Sequence, residues 1–69
     1  MANMLKLKSK IVEKGATMEQ VSNAIGVDTS TLYRKFAKNG DSFTVAEANN
    51  IGRFLQLNSL EMNEIFFTI

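Results

Sequence analysis

Apolar residues recur four apart in this chain, as Leu7 and Ile11, Val21 and Ile25, Leu32 and Phe36, and Ile51 and Leu55, and residues that start or stop helices stand between the pairs. Spacing by four puts both members of a pair on one side of a 3.6-residue turn, so each pair marks the inner face of a short helix. The 69 residues include no Cys and no His. Without thiols there is no disulfide framework, and without thiol or imidazole a zinc, haem or iron–sulfur site lacks its usual ligands, so no metal and no cofactor is expected. Unstapled cores below about 70–80 residues supply only a few kcal/mol. The expectation is a single domain over 1–69, all-α and compact, built from helices joined by short turns or completed by dimerisation.

The boundaries follow from local chemistry. A first helix is expected over 3–14, with Met4, Leu5 and Val12 beside Leu7 and Ile11 and lysines on the other face, and Gly15 ends it. Thr17-Met18-Glu19-Gln20 has the form of a capping box opening a second helix, which carries Val21 and Ile25 inward and stops at Gly26. Asp28 is a good N-cap for a third helix running to about Ala37, with Leu32 and Phe36 inside and Thr29, Ser30, Tyr33 and Arg34 outside. A loop around Asn39-Gly40-Asp41 leads to Phe43, read as a hydrophobic staple, and to a second capping box, Thr44 to Glu47. The fourth helix continues through Ala48, Ile51 and Leu55, and Gly52 inside it either weakens it or admits a close helix contact. Leu57-Asn58-Ser59 makes the last turn, Ser59 is the expected cap, and Leu60, Met62, Ile65, Phe66 and Phe67 are the apolar residues of a fifth helix.

Function classes narrow by composition and charge. The apolar share is 45%, the globular average, and no stretch reaches the roughly 18 to 20 apolar residues of a membrane span, so a soluble, cytoplasmic protein is expected. Lacking the commonest general base and the commonest activated nucleophile, a chain too small for a deep pocket is not expected to be an enzyme. Glu61 and Glu64, three apart, read as a solvated helix face rather than a carboxylate pair. The net charge of +1 conceals a gradient: residues 1–40 hold seven basic and three acidic side chains, whereas the remainder holds Arg53 against four acids. Segregated charge can supply an electrostatic footprint on one face, although the lysines of the first helix also fit a plainly solvated surface.

Two short helices joined by a three-residue turn with Gly carry the strongest functional signal. From Thr17 to Phe36 the run TMEQVSNAIGVDTSTLYRKF resembles the helix-turn-helix of phage Cro and repressor-type, or XRE-like, DNA-binding domains. The matching positions are small Ser22, turn Gly26, aliphatic Val27 and buried Leu32; Gly supplies a positive φ, and the small residue lets the helices touch. The fourth and fifth helices also look like those of small phage repressors. Where other relatives carry a buried ion pair, Ile11 and Phe36 stand here as an apolar alternative.

The resemblance implies a five-helix lambda-repressor-like domain with a helix-turn-helix over about 17–37. Its third helix would lie in the major groove of a double-stranded DNA operator, with Arg34, Thr29, Ser30 and Thr31 toward base edges. Thr17, Met18, Tyr33, Lys35, Lys38, Asn39 and Ser42 would contact phosphates and orient the domain. Many relatives have Gln at the position of Met18; Met has no side-chain donor, so the backbone amides of that helix N-terminus would make the contact. The implied function is sequence-specific transcriptional regulation of phage or prophage type. Phe66, Phe67 and Ile69 either close the core or form a homodimer contact. The alternative reading is an antitoxin or antirepressor that binds a partner protein through its apolar C-terminal helix.

Overall fold

The computed structural model describes residues 3–38 and 43–67, and all regular structure among them is helical. Five helices follow in order: α1 (Met4–Glu13), α2 (Met18–Ile25), α3 (Thr29–Ala37), α4 (Val45–Leu55) and α5 (Ser59–Phe66). The radius of gyration is 10.5 Å, close to the roughly 11 Å expected of a folded chain this long.

Side-chain caps open every helix. Asn3 and Asp28 accept from backbone amides of α1 and α3. Thr17 and Thr44 form full capping boxes with Gln20 and Glu47, as their spacing predicts. The last cap differs from expectation. Asn58, not Ser59, is the N-cap, and it forms a third capping box with Glu61, because an amide oxygen serves this purpose as well as a hydroxyl. Helices α1, α2 and α4 end in the same closure, in which the amide two residues beyond the helix, or one further, reaches back five residues: Ala16 to Ile11, Val27 to Ser22 and Leu57 to Gly52. Glycine provides the left-handed residue at Gly15 and Gly26, and Gln56 adopts it with φ 56°.

The pairs spaced by four converge on the centre. Leu7, Val21, Leu32, Ile51 and Ile65 are fully buried, and Ile11, Phe36 and Leu55 nearly so. Ile25 is partly buried and packs against this cluster. Helix α2 packs chiefly on α3 and α4, while α1 lies against α5.

Four apolar side chains of α1 and the α5 end lie outside the core. Leu5 and Val12 are each 78% exposed, since α1 presents only Met4, Leu7 and Ile11 to its neighbours. On α5, Leu60 is exposed and Phe67, its C-cap, is half exposed, leaving Ile65 as the one buried residue of that helix. Phe43, read as a staple, packs against the core, and its ring meets Phe36 and Phe66 edge-on at centroid distances of 6.1 and 5.9 Å. Phe66 therefore joins the core of its own chain. Gly52 serves a close helix contact, because a Cβ there would overlap the Met62 sulfur across the α4–α5 junction.

Glu61 and Glu64 are also not a plain solvated face. Lys10 pairs with both Glu61 and Glu13, and Lys6 pairs with Glu64 at 3.1 Å, so that ion pairs from α1 hold α5 in place. A backbone bond of 2.6 Å from the Asn3 amide to the Ile65 carbonyl reinforces the junction.

Candidate nucleic-acid interface

The α2–α3 junction is set by three residues. Gly26 takes φ 76°, which a side chain would oppose, and turns the chain within Gly26-Val27-Asp28. Ser22 is buried where the helices meet; its hydroxyl donates to the Glu19 carbonyl at 2.7 Å and lies 3.3 Å from the Thr29 hydroxyl. Val27 packs against the core from the turn. The two helices are thus locked on one side, and α3 presents its other side to solvent.

On that outer side Ser30, Arg34 and Lys38 recur at spacings of four and are all exposed. They form one stripe along α3, flanked by the half-buried Thr31 and Lys35. Thr31, Arg34, Lys35 and Lys38 line a shallow open cleft of about 150 Å³. The edges of the helix differ in character. Tyr33, 55% exposed, lies toward α1 and shares an apolar groove with Lys8, Val12 and Met18. Lys35 lies toward α4, pairs with Glu47 at 3.3 Å and stands over the Phe43 ring.

The hydroxyls of the first turn are engaged locally. Asp28 accepts from the Thr31 amide at 2.9 Å and from the Ser30 hydroxyl at 3.2 Å. Hydrogen bonds from the hydroxyl and amide of Thr31, then from Ser30, hold the Asp28 carboxyl below its ordinary value, with the Arg34 charge adding a smaller part. The Arg34 guanidinium donates to the Thr31 hydroxyl oxygen at 3.0 Å.

The expected site residues accordingly fall into groups. Arg34, Ser30 and Lys38 share the outward stripe, and Lys38 joins the residues expected to read bases although its type suggested a phosphate contact. Thr31 borders the stripe, and Thr29 turns its hydroxyl toward α2. Thr17 is engaged as the α2 cap, accepting from the Gln20 amide at 3.2 Å. Met18 is half-buried against the core, and its side chain also lines the apolar groove beside Tyr33. Asn39 and Ser42 lie outside the described residues. Sequence reasoning missed Asp28 as an acid held beside Arg34, and Glu47 as the partner of Lys35. The first was legible in the N-cap position three residues before Thr31; the second depends on how α3 meets α4.

Among the described residues no group of three or more potential ligands could hold a metal ion, and no helix is long and apolar enough to cross a membrane. Comparison of the chain with protein-family models, with curated proteins and with solved structures gives no match.

Proposed function

We propose that this chain is a sequence-specific double-stranded DNA-binding regulator of transcription, with α2 and α3 as the helix-turn-helix of a lambda-repressor-like, Cro or XRE-type domain. The observation that carries the reading is the exposed stripe Ser30, Arg34 and Lys38 on a helix whose opposite side is locked to α2. A hydroxyl, a guanidinium and an ammonium on one face match groove edges and phosphates: Arg pairs with guanine O6 and N7, Ser serves either partner, and Lys neutralises phosphate. No catalytic step, metal or cofactor enters this mechanism. A dimer would engage two half-sites about 34–36 Å apart on one side of the duplex and occlude or recruit polymerase in a bacterial or phage-infected cytoplasm.

The test is a selection of bound sequences from random duplexes, followed by titration of the selected and a scrambled duplex at several salt concentrations. Arg34→Ala should lose about 1–3 kcal/mol of base discrimination at one position of the selected site, while binding to scrambled DNA changes little. Equal affinity of the wild type for both duplexes overturns the reading.

Exposed Leu60 and Phe67 support a second use of α5, as the homodimer contact or as the face of an antitoxin or antirepressor toward a protein partner. Sizing chromatography with and without DNA separates these uses. Self-association lost in Phe67→Ser supports the dimer, and a monomer that pairs with DNA at single half-sites removes it.

A further inference from the structure

Thr31, expected to read a base, is occupied in a different way. Its hydroxyl oxygen accepts from the Arg34 guanidinium at 3.0 Å, its amide donates to Asp28 at 2.9 Å, and Asp28 also holds the Ser30 hydroxyl. Helical side chains lean toward the N-terminus, so Arg34 lies back over the first turn of α3, the end that such a helix directs at bases. A long guanidinium on an exposed helix face otherwise samples many rotamers, and ordering it on binding costs affinity. With one donor on Thr31, four N–H groups of the guanidinium remain, enough for a two-pronged partner.

We propose that Thr31 is a positioning residue which fixes the guanidinium of Arg34 for base reading and does not itself contact DNA. The inference rests on the DNA-binding reading above. Asp28 anchors the arrangement from behind: its carboxylate accepts from the Thr31 amide and so pins the backbone of the residue whose hydroxyl oxygen accepts from Arg34. Ser30, bound to the same carboxylate, stays on the stripe beside it.

The experiment compares Thr31→Val, which keeps the shape and removes the hydroxyl, with Thr31→Ser, which keeps the hydroxyl, each with Arg34 intact and in an Arg34→Ala background. On the duplex selected by the wild type, Thr31→Val should bind about three- to tenfold more weakly and Thr31→Ser close to wild type. Affinity for scrambled duplex and the melting temperature should stay the same. In the Arg34→Ala background Thr31→Val should have no further effect; an equal loss in both backgrounds shows Thr31 touching DNA and overturns the proposal. Unchanged affinity of Thr31→Val also overturns it. NMR of the arginine side-chain nitrogens in the DNA-free protein separates this outcome from failure of the DNA reading. Slow guanidinium rotation at Arg34 in the wild type, made fast by Thr31→Val, sustains the positioning role; equal rotation rates remove it whatever DNA does.

Discussion

At the residue scale, single side chains matter most where the backbone or a close contact leaves no alternative. Gly52 is such a position, with the Met62 sulfur filling the space a Cβ would take. Replacing Gly by Ala inside a helix ordinarily stabilises by about 1 kcal/mol, because the unfolded chain loses freedom and the helix gains a better former. Here the Met62 side chain would have to swing away, so that gain is offset. Gly52→Ala is therefore expected to be near neutral in wild type and stabilising by about 1 kcal/mol in a Met62→Ala background, a coupling that urea denaturation of the four proteins measures. Spacing alone left Gly52 open between a weak point and a close approach, since which residue lies opposite depends on α5. Residue identity was more informative at Gly26 and Ser22, where a positive φ and a tight helix contact each admit few side chains.

Among the elements, α1 and α5 illustrate how charge fastens helices distant in sequence. Glu61, with Lys10 as its first cause and the Asn58 amide as its second, is held below its ordinary 4.5, and Lys10, with Glu61 first and Glu13 second, is held above its ordinary 10.5. A lowered acid stabilises the fold above its unfolded value and loses that contribution as pH falls from 4.5 through the lower folded value. The raised lysine is the mirror case: its contribution is complete below 10.5 and disappears as pH rises through the higher folded value. The α1–α5 attachment is thus strongest between these limits. Glu61→Gln tests it cleanly, because Gln retains the capping box while removing the charge. Its melting temperature should fall below wild type at neutral pH, and the two should converge on acidification well below pH 4.5, as followed by circular dichroism. Helix ends were legible in the sequence because caps act within three residues. The lysine partners were not, because Lys6 and Lys10 meet acids more than fifty residues away.

For the whole molecule, folding redistributes the charge that the chain carries along its length. The basic half does not form one continuous basic face: Lys6 and Lys10 are taken up by α5 and Lys35 pairs with Glu47. Arg34 and Lys38 remain on the exposed stripe of α3. If α3 enters the groove, the salt dependence of binding should therefore reflect Lys38 and not Lys6 or Lys10, whose charges are met by acids of α5. Lys38→Gln is expected to reduce the slope of log affinity against log salt by about 1 per domain, and Lys6→Gln to leave it unchanged. Glu47→Gln, which preserves the α4 capping box, should strengthen binding and steepen the slope by removing an acid beside Lys35. Fluorescence titration at several salt concentrations reads all three. Local chemistry alone dictated that there would be helices, the caps that open α2, α3 and α4, and which face of those three turns inward, since caps, turn glycines and spacing by four act over a few residues. Packing was needed to settle that Leu5 and Val12 stay outside while Met4 goes in, that Phe66 joins the core of its own chain, and that Lys6, Lys10 and Lys35 meet acids of α4 and α5. Those outcomes depend on which helix lies opposite which, and that is settled by packing all five around one small core.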